Sequence, residues 1–121
     1  MADGVFISLS HAGGLVAAAI ADRPVGIDVE PIRPLPRMDA LAARYFSVGE
    51  RDALSAMPPK EREAAFFRIF TKKEAYAKAN GIPLAAAIGE DLSFLSPEVE
   101  AVACDEKSGI LYAIAVILSK R

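Results

Sequence analysis

Tryptophan is absent from this 121-residue chain, and histidine and cysteine occur once each. With Cys104 alone no internal disulfide can form, which fits a reducing cytoplasm. No apolar run approaches the ~20 residues that a membrane-spanning helix needs. Met1-Ala2-Asp3-Gly4 lacks the basic n-region and apolar stretch of a signal peptide, so the chain reads as soluble and cytoplasmic, with no membrane partner. An excess of positive charge is also lacking: a net charge of −2 excludes a generally basic nucleic-acid binder while leaving room for local basic patches. What remains is 53% hydrophobic and 25% charged, a globular composition, and 121 residues suit a single domain over 1–121.

Within that domain the most informative stretch is Val25-Gly26-Ile27-Asp28-Val29-Glu30. Read as a strand, it turns Val25, Ile27 and Val29 to one face and Asp28 and Glu30 to the other. The two carboxylates lie roughly 7 Å apart along the strand. Ionised, they repel by about 2 kcal/mol at an effective dielectric near 20. A divalent cation, or nearby arginines and lysines, would offset that repulsion. On spacing alone, two carboxylates facing water at a strand end are the favoured reading.

Around this strand the pattern predicts an α+β fold, an antiparallel sheet packed against a long helix. Residues 5–9 and 15–20 read as strands separated by Gly13-Gly14, and with the carboxylate strand they suggest an antiparallel meander. A stiff loop with Pro31, Pro34, Pro36, Arg33 and Arg37 follows, then a short helix over 38–45. Ser47 and Glu50 have capping-box spacing for a helix reaching about Met57. Pro59 suits the first turn of the longest helix, 60–80, whose inward stripe includes Ala64, Phe67, and Thr71 or Phe70, with Gly81 as its stop. Residues 82–90 carry no clear pattern. Strands are expected at 92–95, 99–104 and 110–118, with a hairpin turn over 105–109.

Several side chains could carry chemistry. Glu74 and Lys78 are i,i+4 on the long helix; alone they make an ordinary surface ion pair worth ~0.3–0.5 kcal/mol. If Glu74 faced Asp28 and Glu30, however, three carboxylates would form an oxygen-rich site of the kind magnesium accepts together with substrate phosphates. His11 ends the first strand beside two glycines, a position open to a hydrogen-bonded structural role or to phosphate contact. Basic residues outnumber acidic ones between Arg33 and Lys78, which suits a polyphosphate ligand or an acidic protein partner.

Four motifs in this order resemble the 4′-phosphopantetheinyl transferases: Ser10-His11-Ala12, Gly26-Ile27-Asp28-Val29-Glu30, Phe46-Ser47 with Glu50, and Phe70-Thr71-Lys72-Lys73-Glu74-Ala75 with Lys78 and Gly81. The resemblance is to the Sfp-like subgroup, over about residues 6–94, and to its second half only. It implies transfer of the phosphopantetheine arm of coenzyme A to a serine of an acyl or peptidyl carrier protein, with release of 3′,5′-ADP. By motif position Asp28, Glu30 and Glu74 are the implied Mg²⁺ ligands. His11, Lys73 and Lys78 are the implied coenzyme A contacts, and Glu74 with Lys78 the implied catalytic pair. Phe46, Met38 and the loop with Arg33 and Arg37 would face the carrier. Phe70 stands where the subgroup has tryptophan, as in the short holo-acyl-carrier-protein synthases, and Ala12 where serine is common. Sfp-like enzymes build their cleft from two similar halves, so the resemblance implies a homo-oligomer, a dimer ahead of a trimer. A half-module that binds coenzyme A or a carrier without transfer is the alternative.

Overall fold

In the computed structural model, which describes residues 4–93 and 95–119, strands β1 (Phe6–Ala12) and β2 (Leu15–Ala21) form an antiparallel hairpin. Gly13 turns it with φ 55°, and a Cβ there would come 2.6 Å from the Tyr112 hydroxyl. Only glycine serves both conditions. Strand β3 (Val25–Pro31) does not join this hairpin as a third ladder strand. It pairs antiparallel with β5 (Ile110–Leu118), whose other edge holds β4 (Val99–Asp105), in the order β3-β5-β4. The expected meander is thus replaced by two sheets. The reason lies in two serines. The hydroxyl of Ser8 accepts from the Ile27 N–H at 3.1 Å and that of Ser10 from the Val29 N–H at 3.2 Å. Side chains of β1, not its backbone carbonyls, thereby satisfy donors on β3's free edge.

The helical part follows its local signals closely. Helix α1 is Met38–Tyr45 and α2 is Val48–Ser55. Ser47 and Glu50 close a reciprocal capping box at 3.1 and 2.9 Å. A 3₁₀ turn at Pro59–Glu61 precedes α3 (Arg62–Asn80), so the long α-helix begins two residues later than residue 60. Gly81, at φ 63°, ends it, and the Ile82 N–H donates back to the Ala77 carbonyl at 3.0 Å, a left-handed cap. A short helix α4 (Leu84–Ile88) occupies the unpatterned connection. The strand expected at 92–95 is not formed: Leu92, Ser93 and Leu95 lie outside any strand, and Phe94 lies outside the described residues. Here Asp91 holds the Ser93 N–H at 3.0 Å, and the Leu95 N–H donates to the Leu92 carbonyl, which curls the chain. The last hairpin turns between Asp105 and Ile110 as its composition suggests, with Gly109 at φ 74°.

Helix α3 crosses the β3–β5 face at very short range. Ala75 and Ala79 pack on Ala115 and Ile117, while Phe66 and Phe67 pack with Phe46, Leu54 and Ala113 at the other end. A Cβ on Gly26 would fall 2.0 Å from the Ala75 carbonyl oxygen and 2.6 Å from the Ala79 nitrogen. Helix backbone and strand backbone therefore touch there. Of the stripe expected along α3, Phe67 and Thr71 are buried and Ala64 and Phe70 half-buried; small alanines bury the rest. This close crossing brings Glu74 and Lys78 to the carboxylate strand.

Candidate functional site

The site is built on the join between β1 and β3, covered from one side by α3. Gly26, Asp28 and Glu30 stand opposite Ile117, Ala115 and Ala113 in the β3–β5 register. Asp28 is only 6% exposed, so it does not face open water. Its Oδ1 accepts from the Ser10 hydroxyl at 3.3 Å and lies 4.0 Å from the Lys78 ammonium. Its Oδ2 is buried with no hydrogen-bond partner among the described residues. A buried, half-satisfied carboxylate is costly to ionise. Accordingly the Asp28 pKa is pushed up to about 7, first by burial, then by the charges of Glu30 and Glu74, against the pull of Lys78 and Ser10.

Its neighbours feel the same pressure. Burial raises Glu30, and Glu74 adds to the rise while Arg33 opposes it. Burial raises Glu74, with Lys78 opposing. Three carboxylates are thus held close enough to disfavour one another's ionisation, with too little positive charge to relieve them all. Among the described residues, however, no three aspartate, glutamate, histidine or cysteine side chains converge into a group that could enclose a metal ion. The expected Asp28–Glu30–Glu74 triad is electrostatically coupled but not preassembled. The donors nonetheless suit magnesium, which takes one or two carboxylates and completes its octahedron with water and phosphate oxygens. The unpartnered Oδ2 of Asp28 is the atom such an ion would satisfy.

Lys78 reaches across the join. Its ammonium donates to the Ile27 carbonyl at 2.9 Å and to the Leu9 carbonyl at 3.1 Å, tying β1 to β3, and the side chain remains 36% exposed. Two of its three protons are engaged, which leaves one for an anion on the open side. His11 lies on β1 opposite Val16, exposed, and strand alternation turns it to the face away from Ser8 and Ser10. Lys73 is not brought to the carboxylates at all. It is 1% exposed, ion-paired to Glu50 at 2.9 Å, and donates to the carbonyls of Ala87, Ile88 and Glu90 at 3.1, 3.4 and 2.7 Å. Glu50 in turn accepts from the Leu92 N–H at 3.0 Å. This buried pair ties α2, α3 and the chain after α4 together.

Two contributors take roles that the sequence did not assign them, and one was not singled out at all. Ser10 stood in the first motif without a role of its own, and Ser8 carries a signal only in hindsight, as a polar residue between Ile7 and Leu9. Arg33 approaches Glu30 at 3.7 Å, donates to the Pro31 carbonyl at 2.7 Å, and stacks 4.5 Å from the centre of the Phe67 ring. Its i,i+3 spacing from Glu30 is the trace it leaves in the sequence.

The chain is similar in sequence to known proteins. The model of the 4′-phosphopantetheinyl transferase superfamily matches residues 24–112. Among curated proteins, the 4′-phosphopantetheinyl transferase psf-1 of Bacillus pumilus is 37% identical over 94 residues, 78% of this chain and 40% of that protein. The 4′-phosphopantetheinyl transferase HetI of Nostoc sp. is 39% identical over 79 residues, 64% of this chain and 33% of its own length. The 4′-phosphopantetheinyl transferase AcpT of Salmonella typhimurium is 41% identical over 78 residues, 64% of this chain and 41% of its own. This chain therefore spans well under half the length of these relatives.

Proposed function

The chain belongs to the 4′-phosphopantetheinyl transferase superfamily, and on that premise we propose that it transfers the 4′-phosphopantetheine moiety of coenzyme A to a serine of an acyl or peptidyl carrier protein, releasing 3′,5′-ADP. The observation that carries the reading is Asp28: a buried carboxylate with an unpartnered oxygen, poised near neutrality beside Glu30 and Glu74.

In this reading Asp28, Glu30 and Glu74 hold Mg²⁺ together with the diphosphate of coenzyme A. When bound, the metal supplies polarisation of the phosphate under attack and neutralises charge on the departing 3′,5′-ADP. Lys78, fixed by two carbonyls and open on one side, offers its remaining proton to a phosphate oxygen. Glu74, or a water that it orients, would take the proton of the acceptor serine as its oxygen attacks. His11, turned to the face of β1 away from Ser8 and Ser10, would meet only a phosphate of the ligand that extends past the end of that strand. Lys73, enclosed by Glu50 and three carbonyls, acts by holding α3 in place, so that Glu74 faces the strand. The carrier is addressed from the side of the exposed Arg33 and Arg37 and the half-buried Met38; Phe46, expected on that surface, is buried in the core against Phe66 and is not available to it.

The test is incubation with coenzyme A, Mg²⁺ and an apo carrier protein, followed by intact mass of the carrier. Gain of one phosphopantetheine arm, lost in Asp28→Ala, supports transfer. The short span against its relatives favours one alternative, a half-module that binds coenzyme A or carrier without catalysis. Coenzyme A binding with every carrier left unmodified would decide for it.

A further inference from the structure

The join between β1 and β3 is made by side chains, and this has a chemical consequence for Asp28. Ser8 and Ser10 are both buried, and each accepts a backbone N–H of β3, from Ile27 at 3.1 Å and from Val29 at 3.2 Å. An ordinary ladder would set backbone carbonyls of β1 against these donors, and a carbonyl can only accept. A serine hydroxyl accepts and still has a proton to give. The two serines differ in where that proton goes. Ser10 donates to Asp28 Oδ1 at 3.3 Å, whereas among the described residues Ser8 makes no hydrogen bond to a carboxylate.

We propose that Ser10 is a positioning residue for Asp28: its hydroxyl, anchored by the Val29 N–H, holds the carboxylate so that Oδ1 is occupied within the protein and Oδ2 is kept for a divalent cation. This rests on the transferase reading, which gives Asp28 to Mg²⁺, and adds to it a residue that acts through Asp28. Three observations converge on it. The first is asymmetry. Oδ1 receives the Ser10 hydroxyl and lies 4.0 Å from the Lys78 ammonium, while Oδ2 is buried with no partner among the described residues. Donors on one side only make the two oxygens inequivalent and oppose rotation of the carboxylate. The second is the anchoring of the hydroxyl itself. The Val29 N–H occupies one of its lone pairs, and at 8% exposure of the residue little water can compete for its proton. The third is that Lys78 cannot replace it. The ammonium is already engaged by the Ile27 and Leu9 carbonyls at 2.9 and 3.1 Å, and 4.0 Å from Oδ1 is beyond hydrogen-bond reach. Groups that orient a metal's ligands in this way typically change metal affinity by about 10–100-fold when they are removed.

The test is calorimetric titration of Mg²⁺ alone into the 121-residue chain, with urea unfolding in chelator run beside it. Ser8→Ala and Ser10→Ala each leave one β3 N–H without its acceptor, so both are expected to lower the urea midpoint to a similar extent. Only Ser10→Ala is expected to weaken Mg²⁺ binding, by about 10-fold or more; Ser8→Ala is expected to bind as the parent does. Ser10→Thr keeps the hydroxyl and is expected to retain the parent's affinity. Ser10→Cys, whose thiol is a weak donor, is expected to lose it, so this pair decides the question even where Ser10→Ala does not fold. Equal affinity in the parent and Ser10→Ala, or in Ser10→Thr and Ser10→Cys, overturns the proposal. So does an equal loss in Ser8→Ala, which would make the join between the strands, and not the contact with the carboxylate, the cause. In each of these cases the parent binds Mg²⁺ and the transferase reading stands. A parent that binds no Mg²⁺ overturns the metal assignment of that reading together with this proposal, and carrier modification reports on transfer separately.

Discussion

Asp28→Asn is expected to stabilise the metal-free protein at alkaline pH. Folding takes this carboxyl from its ordinary 3.8 to about 7, chiefly through burial. Between those values the folded protein keeps a proton that the unfolded chain has lost. Stability therefore falls as pH rises through the window and levels off above it. Three pKa units at ~1.36 kcal/mol each set a ceiling near 4 kcal/mol. Relaxation and water entry lower that figure, and the asparagine amide placed where Oδ2 lies is itself unpaired, at ~1–3 kcal/mol. Asparagine keeps an acceptor for the Ser10 hydroxyl and loses only the 4.0 Å approach to Lys78. The amide defect does not titrate, so the change between two pH values isolates the carboxylate. Urea unfolding in chelator at about pH 4 and about pH 8.5 should show the variant gaining roughly 2–3 kcal/mol, relative to the parent, between the two. That is on the order of 10 °C in Tm at this chain length. Added Mg²⁺ should then stabilise the parent and leave the variant unmoved. The reasoning is refuted if the difference between variant and parent is the same at both pH values.

Other changes probe neighbouring parts of the same argument. Mg²⁺ binding should displace the Asp28 proton, so calorimetric affinity should rise about tenfold per unit below pH 7 and flatten above it; a flat profile would place the ion elsewhere. Gly26→Ala forces a methyl group against the α3 backbone and should cost about 3 kcal/mol or more in urea unfolding; an unchanged midpoint would mean that helix and strand are not in contact there. Lys73→Met leaves the Glu50 carboxylate buried without its cation and should cost about 3–5 kcal/mol, part of which Glu50→Gln should restore in the double variant. If Lys73→Met stays fully stable but loses coenzyme A affinity, Lys73 contacts ligand after all.

The sequence alone determined the features that depend on near neighbours. The α+β class, the capping box at Ser47 and Glu50, the Gly81 stop and the turn before Ile110 are each decided within a few residues, by backbone stereochemistry and short hydrogen bonds. The alternation that pairs Asp28 with Glu30 on one strand face is of the same kind. Partners distant in the chain were decided only by the tertiary structure. Short loops suggested that β3 joins the hairpin. It pairs with β5 instead, far along the chain, because Ser8 and Ser10 satisfy its other edge with side chains. Lys73 and Glu74 are adjacent, yet successive residues on a helix turn by roughly 100°. One is sealed against Glu50, and the other lies close enough to Asp28 for its charge to raise that carboxyl, on a helix that touches the strand backbone at Gly26. Spacing could pair the carboxylates, but it could not give their energetic state. Burial under α3 raises Asp28 to about 7, and burial is a property of everything packed around a residue, not of its place in the chain.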